Sequence, residues 1–454
     1  MRKLLFIGVL LLTILVQMAI YYRGIYVSPT FERLDFEEIT VTKAPAEEFK
    51  DEFTPAKGIV VFDMAHSNNV DVSELRILVL RLTARGYKVE YLMSKNALEE
   101  TLKYADAFVV ISPRSSYSSK HVDLLSRFVE KRGKLLLVHD PTRKDSINSL
   151  SAGFGIIFDS GYLYNQVEND GNYQYIFLKE FEKNELTRGL SKVTMYAASS
   201  ITSSGKGLAF TDENTFSSTQ PKQRFTPMVL TSSGNVLALG DLSFMLEPYN
   251  SVFDNNKLAS NIADFLTTGG RVYHITDYPY YLGDEYFLVY TNESILEESL
   301  EIMRKIDRRA NLRSKDPGFG HTLVVGLYSN SLVRKYMDDA GIILNDKLEI
   351  KGVGKLRKDG TFIISLTQRG GRRVILVAAD DKPGLLEAAS SLDKLGEISL
   401  TDFVAYSAYE PEEKEPSSTP PVVEEQESLT EEEQVKEPTS YSSKRQVLSP
   451  NLGR

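Results

Sequence analysis

Cysteine and tryptophan are both missing from this chain of 454 residues, and histidine occurs only five times. Without a thiol there is no disulfide, no Cys-ligated zinc, no iron–sulfur cluster and no Cys nucleophile. His66, His121, His139, His274 and His321 are scattered, and no pair has the i, i+4 spacing of a helical metal site. Neither a metal nor any other cofactor is therefore expected. A basic field is missing too. The formal charge is −9, and Glu410–Glu437 alone holds eleven Glu against two Lys. Lys444, Arg445 and Arg454 follow, which leaves −3 on residues 1–409. The acidity belongs to a terminal segment, the body is nearly neutral, and nucleic acid is not an expected partner.

One long apolar run is present. Residues 4–22, LLFIGVLLLTILVQMAIYY, carry no charge, and at about 1.5 Å per residue they match the hydrocarbon thickness of a bilayer. Arg2 and Lys3 favour a cytoplasmic N-terminus of residues 1–3, which places everything after Arg23 outside the cytoplasm. A cleaved signal peptide is the competing reading. The run is longer than an ordinary signal core and no small-x-small cleavage site follows it, so an uncleaved anchor is expected.

Residues 23–56 contain Pro29, Pro45 and Pro55 without sustained periodicity, as in a stalk or linker. From Gly58 the pattern becomes α/β. GIVVFDM, KVEYL, AFVVIS and KLLLVHD are strand-like runs separated by the helical patterns LRILVLRLTAR, ALEETLKYA and HVDLLSRFVEKRG. Asp71 and Glu74 mark the start of the first of these helices. Strands alternating with helices at these lengths predict a doubly wound parallel sheet. Residues 151–235 are polar and less regular, and predict shorter strands and loops. NVLALGD and the helix NNKLASNIADFLT then close a unit spanning 57–270.

A second, smaller α/β unit covers 271–408. It has YFLVYT, a helix capped by Ser294 and Glu297, HTLVVGLY, the helix SLVRKYMDDAG, strands LEIKGVG, TFIISLT and RRVILVAAD, a helix opening at Pro383, and a last strand DFVAYSA. Residues 409–454, rich in Pro, Glu, Ser and Thr, predict a disordered acidic tail.

In the first unit, FDMAHSNN, ADAFVVISP, FVEKRGKLLLVHDP, and ALGDLSFM followed by FDNNKLASNIADFLT resemble the class I glutamine-amidotransferase-like fold. The resemblance is greatest to its membrane-anchored archaeal and bacterial branch, alongside GldG-type auxiliary subunits and GIFT domains. It covers about residues 57–270. Enzymes of the fold use a Cys nucleophile on a strand-to-helix turn, so the absence of cysteine argues against glutaminase activity. SPRSSYSS, which follows AFVVIS, shows no G-x-S-x-G elbow. What the branch implies is carbohydrate binding or scaffolding. In the second unit, TLVVGLYSNSLVRKYMDDAG and RRVILVAADDKPGLLEAASSL resemble small α/β domains of archaeal surface-layer proteins.

In a doubly wound sheet, ligands gather beyond the carboxyl ends of the strands. The polar residues there are Asp63, His66 and Asn68 after the first strand, Ser112 and Arg114 after the third, Asp140 after the fourth, and Asp241 and Ser243 after the late strand. Asp63, His66, Asn68, Ser112, Arg114, Asp241 and Ser243 are the ligand-binding candidates. Asp140, before Pro141, reads as a turn-forming residue, and His139 as a satisfied core histidine. The tyrosines of GYLYNQVENDGNYQY and DYPYYLGDEYF suit either half-buried sheet edges or stacking on sugars and partners. Asn292-Glu293-Ser294 is the one N-x-S/T sequon. The leading expectation is a membrane-anchored, extracytoplasmic, non-catalytic envelope protein that binds a glycan, surface-layer material or another partner. The alternatives are an auxiliary subunit of an ABC-type transporter, and a hydrolase using Asp63, His66 and Asp241.

Overall fold

The computed structural model describes residues 2–23, 49–306 and 308–411. Most of the predicted tail and most of the predicted stalk lie outside them. Helix α1, Arg2–Tyr22, is 21 residues long, uncharged after Lys3, and buries none of its side chains. It is long and apolar enough to cross a membrane or to act as a signal.

The first sheet has eight strands. Four lie side by side as β2 (Tyr87–Leu92), β1 (Gly58–Asp63), β3 (Ala107–Ile111) and β4 (Lys134–Val138). Val236–Leu239 continues this parallel set beside β4. Met228–Leu230, Lys206–Phe210 and Glu180–Phe181 then add antiparallel strands. The parallel strands are near-continuous apolar runs because both faces are covered. On one face Val60, Phe62, Val109, Ile111, Leu136 and Val138 pack with Leu78 and Leu82 of α2 (Arg76–Ala84) and Leu258 and Ile262 of helix Asn255–Thr267. The alternate residues Val61, Phe108, Val110, Leu135 and Leu137 face α3 (Leu98–Tyr104) and α4 (Ser119–Glu130) through Leu98, Leu102, Leu125 and Phe128. The period of two in the strands divides their side chains between the two layers.

Residues 151–235 form the expected short strands: Ile156–Phe158 pairs with Ile201–Ser203, Leu163–Asn165 with Thr215–Ser217, and Tyr175–Leu178 with Val193–Tyr196. Residues 49–56, assigned to the linker from sequence, dock against the first unit instead. Arg85, just past the end of α2, is fully buried and needs counter-charges; Asp51 supplies one at 3.1 Å and Asp264 another at 2.7 Å. The rings of Phe49 and Phe53 lie 4.8 Å from the guanidinium carbons of Arg81 and Arg85. Gly86, at φ 88°, ends α2, where a side chain would collide with the Ala56 carbonyl.

The second sheet has seven strands in the order Arg309–Arg313, Glu285–Tyr290, Thr322–Leu327, Arg372–Ala379, Thr361–Arg369, Val404–Ala408 and Ser399–Leu400. The first four run parallel. LEIKGVG is not one strand: Lys347–Ile350 turns back through Gly352 to Gly354–Arg357, and Ile342–Leu344 completes a three-stranded sheet. The cap before helix Leu296–Arg304 also differs from the sequence pattern. The exposed Asn292 accepts from the Ser294 amide at 3.0 Å, and a 3-10 turn at Glu293–Ile295 precedes the helix. Between the sheets, Lys131 pairs with Asp277 at 2.8 Å and Tyr280 donates to Glu100 at 2.7 Å. Arg271 donates to the carbonyls of Leu102, Lys103 and Ala105 at the end of α3. A cleft of about 350 Å³ lies at this junction, lined in part by Lys103, Arg127, Arg271 and His274.

Candidate functional site

The carboxyl ends of the parallel strands in the first sheet hold two hydrogen-bonded groups. In the first, both oxygens of Asp63 approach His66 Nδ1, at 3.1 and 3.0 Å, and Asp63 also accepts from the Ala65 amide and, at 2.5 Å, from the Tyr117 hydroxyl. The turn that begins at Asp63 carries His66 back over the strand end. There its ring stacks on Tyr117 with centroids 3.7 Å apart and planes 12° apart. His66 Nε2 faces His121 Nδ1 at 3.3 Å. Asp63 and His66 are 2% and 0% exposed, so His121, half-buried on α4, is the outer end of this chain. Burial pushes the Tyr117 phenol well above its ordinary value, reinforced by Asp63. The His121 imidazole is lowered, first by burial and then by His66, Lys95 and Lys120.

The second group surrounds the end of Val236–Leu239. Gly240 lets the chain pass Ser199 closely; a Cβ there would lie 2.1 Å from the Ser199 carbonyl. Asp241 follows, fully buried, and accepts from the amides of Tyr196 at 2.8 Å, Ser243 at 2.7 Å and Phe244 at 3.3 Å. Burial, and then the neighbouring Asp140, push its carboxyl up to about 8 in spite of those three donors. Asp140 behaves as the sequence suggested, closing a turn with the Thr142 amide and hydroxyl, and it receives the Ser243 hydroxyl at 3.4 Å.

The two groups are joined through the loops. Arg143 clamps Glu74 at 2.6 and 3.0 Å and donates to the Asn69 carbonyl, and its Nε lies 3.6 Å from Asp140. Asn68 donates to the Ile111 carbonyl, and Asn69 N donates to Ser112 O at 2.8 Å. Arg114 is exposed and bonds Asn69 Oδ1. Ser112 sits at the strand-to-helix turn after β3 with φ 40°, a left-handed value rare for serine, and is fully buried.

Three buried atoms at these strand ends have no hydrogen-bond partner among the described residues: Asn68 Oδ1, Ser112 Oγ and His139 Nε2. His139 is thus only half satisfied, through Asp145 at 2.7 Å, which departs from its reading as a core histidine with all its bonds made. Asp63 and His66 are bonded as a pair, whereas Asp241, among the described residues, makes no hydrogen bond or ion pair with either. Tyr117, His121, Glu74 and Arg143 were not among the candidates from sequence. The signal for Tyr117 and His121 is their place in the polar stretch after β3; the sequence pattern marks Glu74 only as a helix-capping residue. Among the described residues, no three His, Asp or Glu side chains are grouped as metal ligands.

No protein-family model matches the chain, and no curated protein matches it in sequence. Solved structures match it at low similarity. The mmIFT52 N-terminal domain is 14% identical, with a TM-score of 0.41, over 46% of this chain and 98% of that one. A ThuA-like protein from Bacteroides uniformis is 10% identical, with a TM-score of 0.31, over 48% of this chain and 93% of that one. PurLQS from Thermotoga maritima, a glutamine-amidotransferase-like protein, is 13% identical, with a TM-score of 0.30, over 46% of this chain and all of that one. The chain is a mixed α/β protein with an N-terminal apolar helix, and these structures are its weak structural neighbours.

Proposed function

We propose that this chain is a single-pass, membrane-anchored envelope protein that works by binding rather than by catalysis. In this reading α1 spans the bilayer with its N-terminus in the cytoplasm. The unit of residues 57–270, a doubly wound amidotransferase-like domain, binds a carbohydrate or an envelope partner outside the cytoplasm, and the unit 271–408 extends or docks the assembly. The observation that supports binding is the contrast between spent acids and unspent polar atoms. Asp63, Asp140 and Asp241 are occupied within the protein, while Asn68 Oδ1, Ser112 Oγ and His139 Nε2 are buried without partners among the described residues. Buried polar groups are costly unless bonded, and a ligand at the strand ends completes such bonds.

The test uses the full-length chain in lipid nanodiscs. It is expected to retain polysaccharide or surface-layer material from envelope extracts, and Asn68→Ala and Ser112→Ala are expected to weaken that retention about tenfold or more. No retention, or retention unchanged in both variants, overturns the reading.

A hydrolase is a second reading, favoured by the chain Asp63–His66–His121, in which a buried carboxylate orients one imidazole against another. Asp241 stands outside that chain. This reading expects His121→Gln to lose turnover of ester or glycoside substrates; absence of turnover by the wild type removes it.

A further inference from the structure

The insert between β4 and Val236–Leu239 carries a surface that the strand-end groups do not use. Leu163–Asn165 and Thr215–Ser217 pair antiparallel, with Phe216 opposite Tyr164. Leu163 and Asn165 are buried, and the alternation leaves Tyr162 and Tyr164 on the other side of the ribbon. Four rings gather there. Tyr164 and Phe216 stack with centroids 5.8 Å apart and planes 26° apart; Tyr173 meets Tyr164 edge-on at 6.1 Å; Tyr162 lies 6.2 Å from Tyr164. Tyr173 is 47% exposed and Phe216 37%. A cross-strand pair accounts for Tyr164 and Phe216. It does not account for two further tyrosines on the same solvent-facing side, where no core needs filling.

The rim of this patch is polar and mostly uncharged. Ser217 and Thr219 hydroxyls both reach the Asp159 carboxylate, Gln223 donates to Gln220, and the Lys222 ammonium lies 4.8 Å from the Phe216 ring centre. Aromatic faces bordered by hydroxyls, amides and a carboxylate match a ligand with an apolar face and a hydroxyl-bearing edge, which is the shape of a pyranose ring. The patch is also tied to the strand-end region. Leu163 N donates to Ala198 O at 2.7 Å, Ser199 N to Gly240 O at 2.7 Å, and Tyr196 N to Asp241 at 2.8 Å.

We infer that Tyr162, Tyr164, Tyr173 and Phe216 form a stacking platform for the sugar rings of a glycan chain. The inference rests on the binding role proposed above and gives that role a ligand class and a second contact surface. The exposed ring faces stack on the sugars, while the Thr219 and Asp159 side chains serve the hydroxyl edge.

The test is saturation-transfer NMR and titration calorimetry on the full-length chain in phosphocholine nanodiscs, because maltoside detergents are themselves glycosides. The probes are maltohexaose, cellohexaose and chitohexaose. At least one is expected to bind, with transfer strongest to its ring C–H protons. Tyr173→Ala, in an exposed loop, and Tyr164→Ala are each expected to lower the affinity about tenfold with the melting temperature unchanged for Tyr173→Ala, while Tyr164→Phe retains binding. No transfer from any probe overturns the platform, as does an affinity unmoved by Tyr173→Ala. Glycan binding lost in Asn68→Ala and Ser112→Ala but kept in Tyr173→Ala overturns the platform while leaving the strand-end reading standing. Retention of a purely proteinaceous envelope component, with no glycan bound, has the same meaning.

Discussion

The two sheets use their carboxyl ends differently. Beyond the first, Asp63, His66, His139, Asp140 and Asp241 are buried together, and several polar atoms there remain unpaired. Beyond the second, the same positions serve to close the fold. Tyr328 is buried and donates to the Thr361 carbonyl at 2.7 Å, and Asn330 caps the next helix through the Leu332 amide while its own amide reaches the Thr291 carbonyl. Thr291 Oγ1 is unpartnered there, but the group contains no histidine. The difference shows what parallel topology does and does not supply. It creates a place where side chains converge, and the residue types at the strand ends decide whether that place holds histidines bonded to carboxylates or a set of caps.

The contrast can be broken by mutation. The largest effect is expected from Asp63→Ala, which leaves His66 Nδ1 and the Tyr117 hydroxyl buried without their acceptor. Chemical denaturation is expected to show a loss of about 3 kcal/mol, and a loss below about 1 kcal/mol would mean that the cluster contributes no more than an ordinary cap.

A pH effect follows. The Asp241 carboxyl is raised to about 8 by burial and by Asp140, from an ordinary 3.8, so between those values the native state holds a proton that the unfolded chain has released. Stability from this group is therefore present at low pH and is lost as pH rises from about 4 towards 8. Calorimetry is expected to show the melting temperature falling by at least about 3 °C over that range. In Asp241→Asn this component disappears, and an identical pH slope in the variant would refute the assignment.

In the second unit, Asn330→Ala removes a helix cap and is expected to cost about 1 kcal/mol by denaturant unfolding. The smallest effects sharpen the comparison most. Tyr328→Phe deletes a satisfied donor and is expected to cost about 1 kcal/mol, whereas Ser112→Ala deletes a hydroxyl that bonds nothing among the described residues and is expected to stay within about 0.5 kcal/mol of the wild type. Equal costs for the two would erase the distinction between the sheet ends.

Much of this was legible in the sequence. The continuous apolar runs GIVVFD, AFVVI and KLLLV announce strands covered on both faces, and helix-breaking glycines such as Gly86 mark where the intervening helices stop. The strand-end polar residues follow from that register, because a residue just beyond a parallel strand must emerge at the same edge as its neighbours. Partnerships were not legible. His66 and His121 are 55 positions apart and meet only because α4 returns across the end of β1; Asp51 and Arg85 pair across 34 positions in a stretch that composition assigned to a linker.

The sequence alone determined the element types, the apolar N-terminal helix, the acidity of the terminal segment and the impossibility of thiol chemistry, because each depends on local pattern or on composition. Tertiary structure decided which polar groups are spent and which remain. Hydrogen bonds form between whatever the chain brings within about 3 Å. That distance is set by how strands, turns and helices pack, so Asp241 is tied to backbone amides, Asp63 to His66 and Tyr117, and the Ser112 hydroxyl to no partner among the described residues.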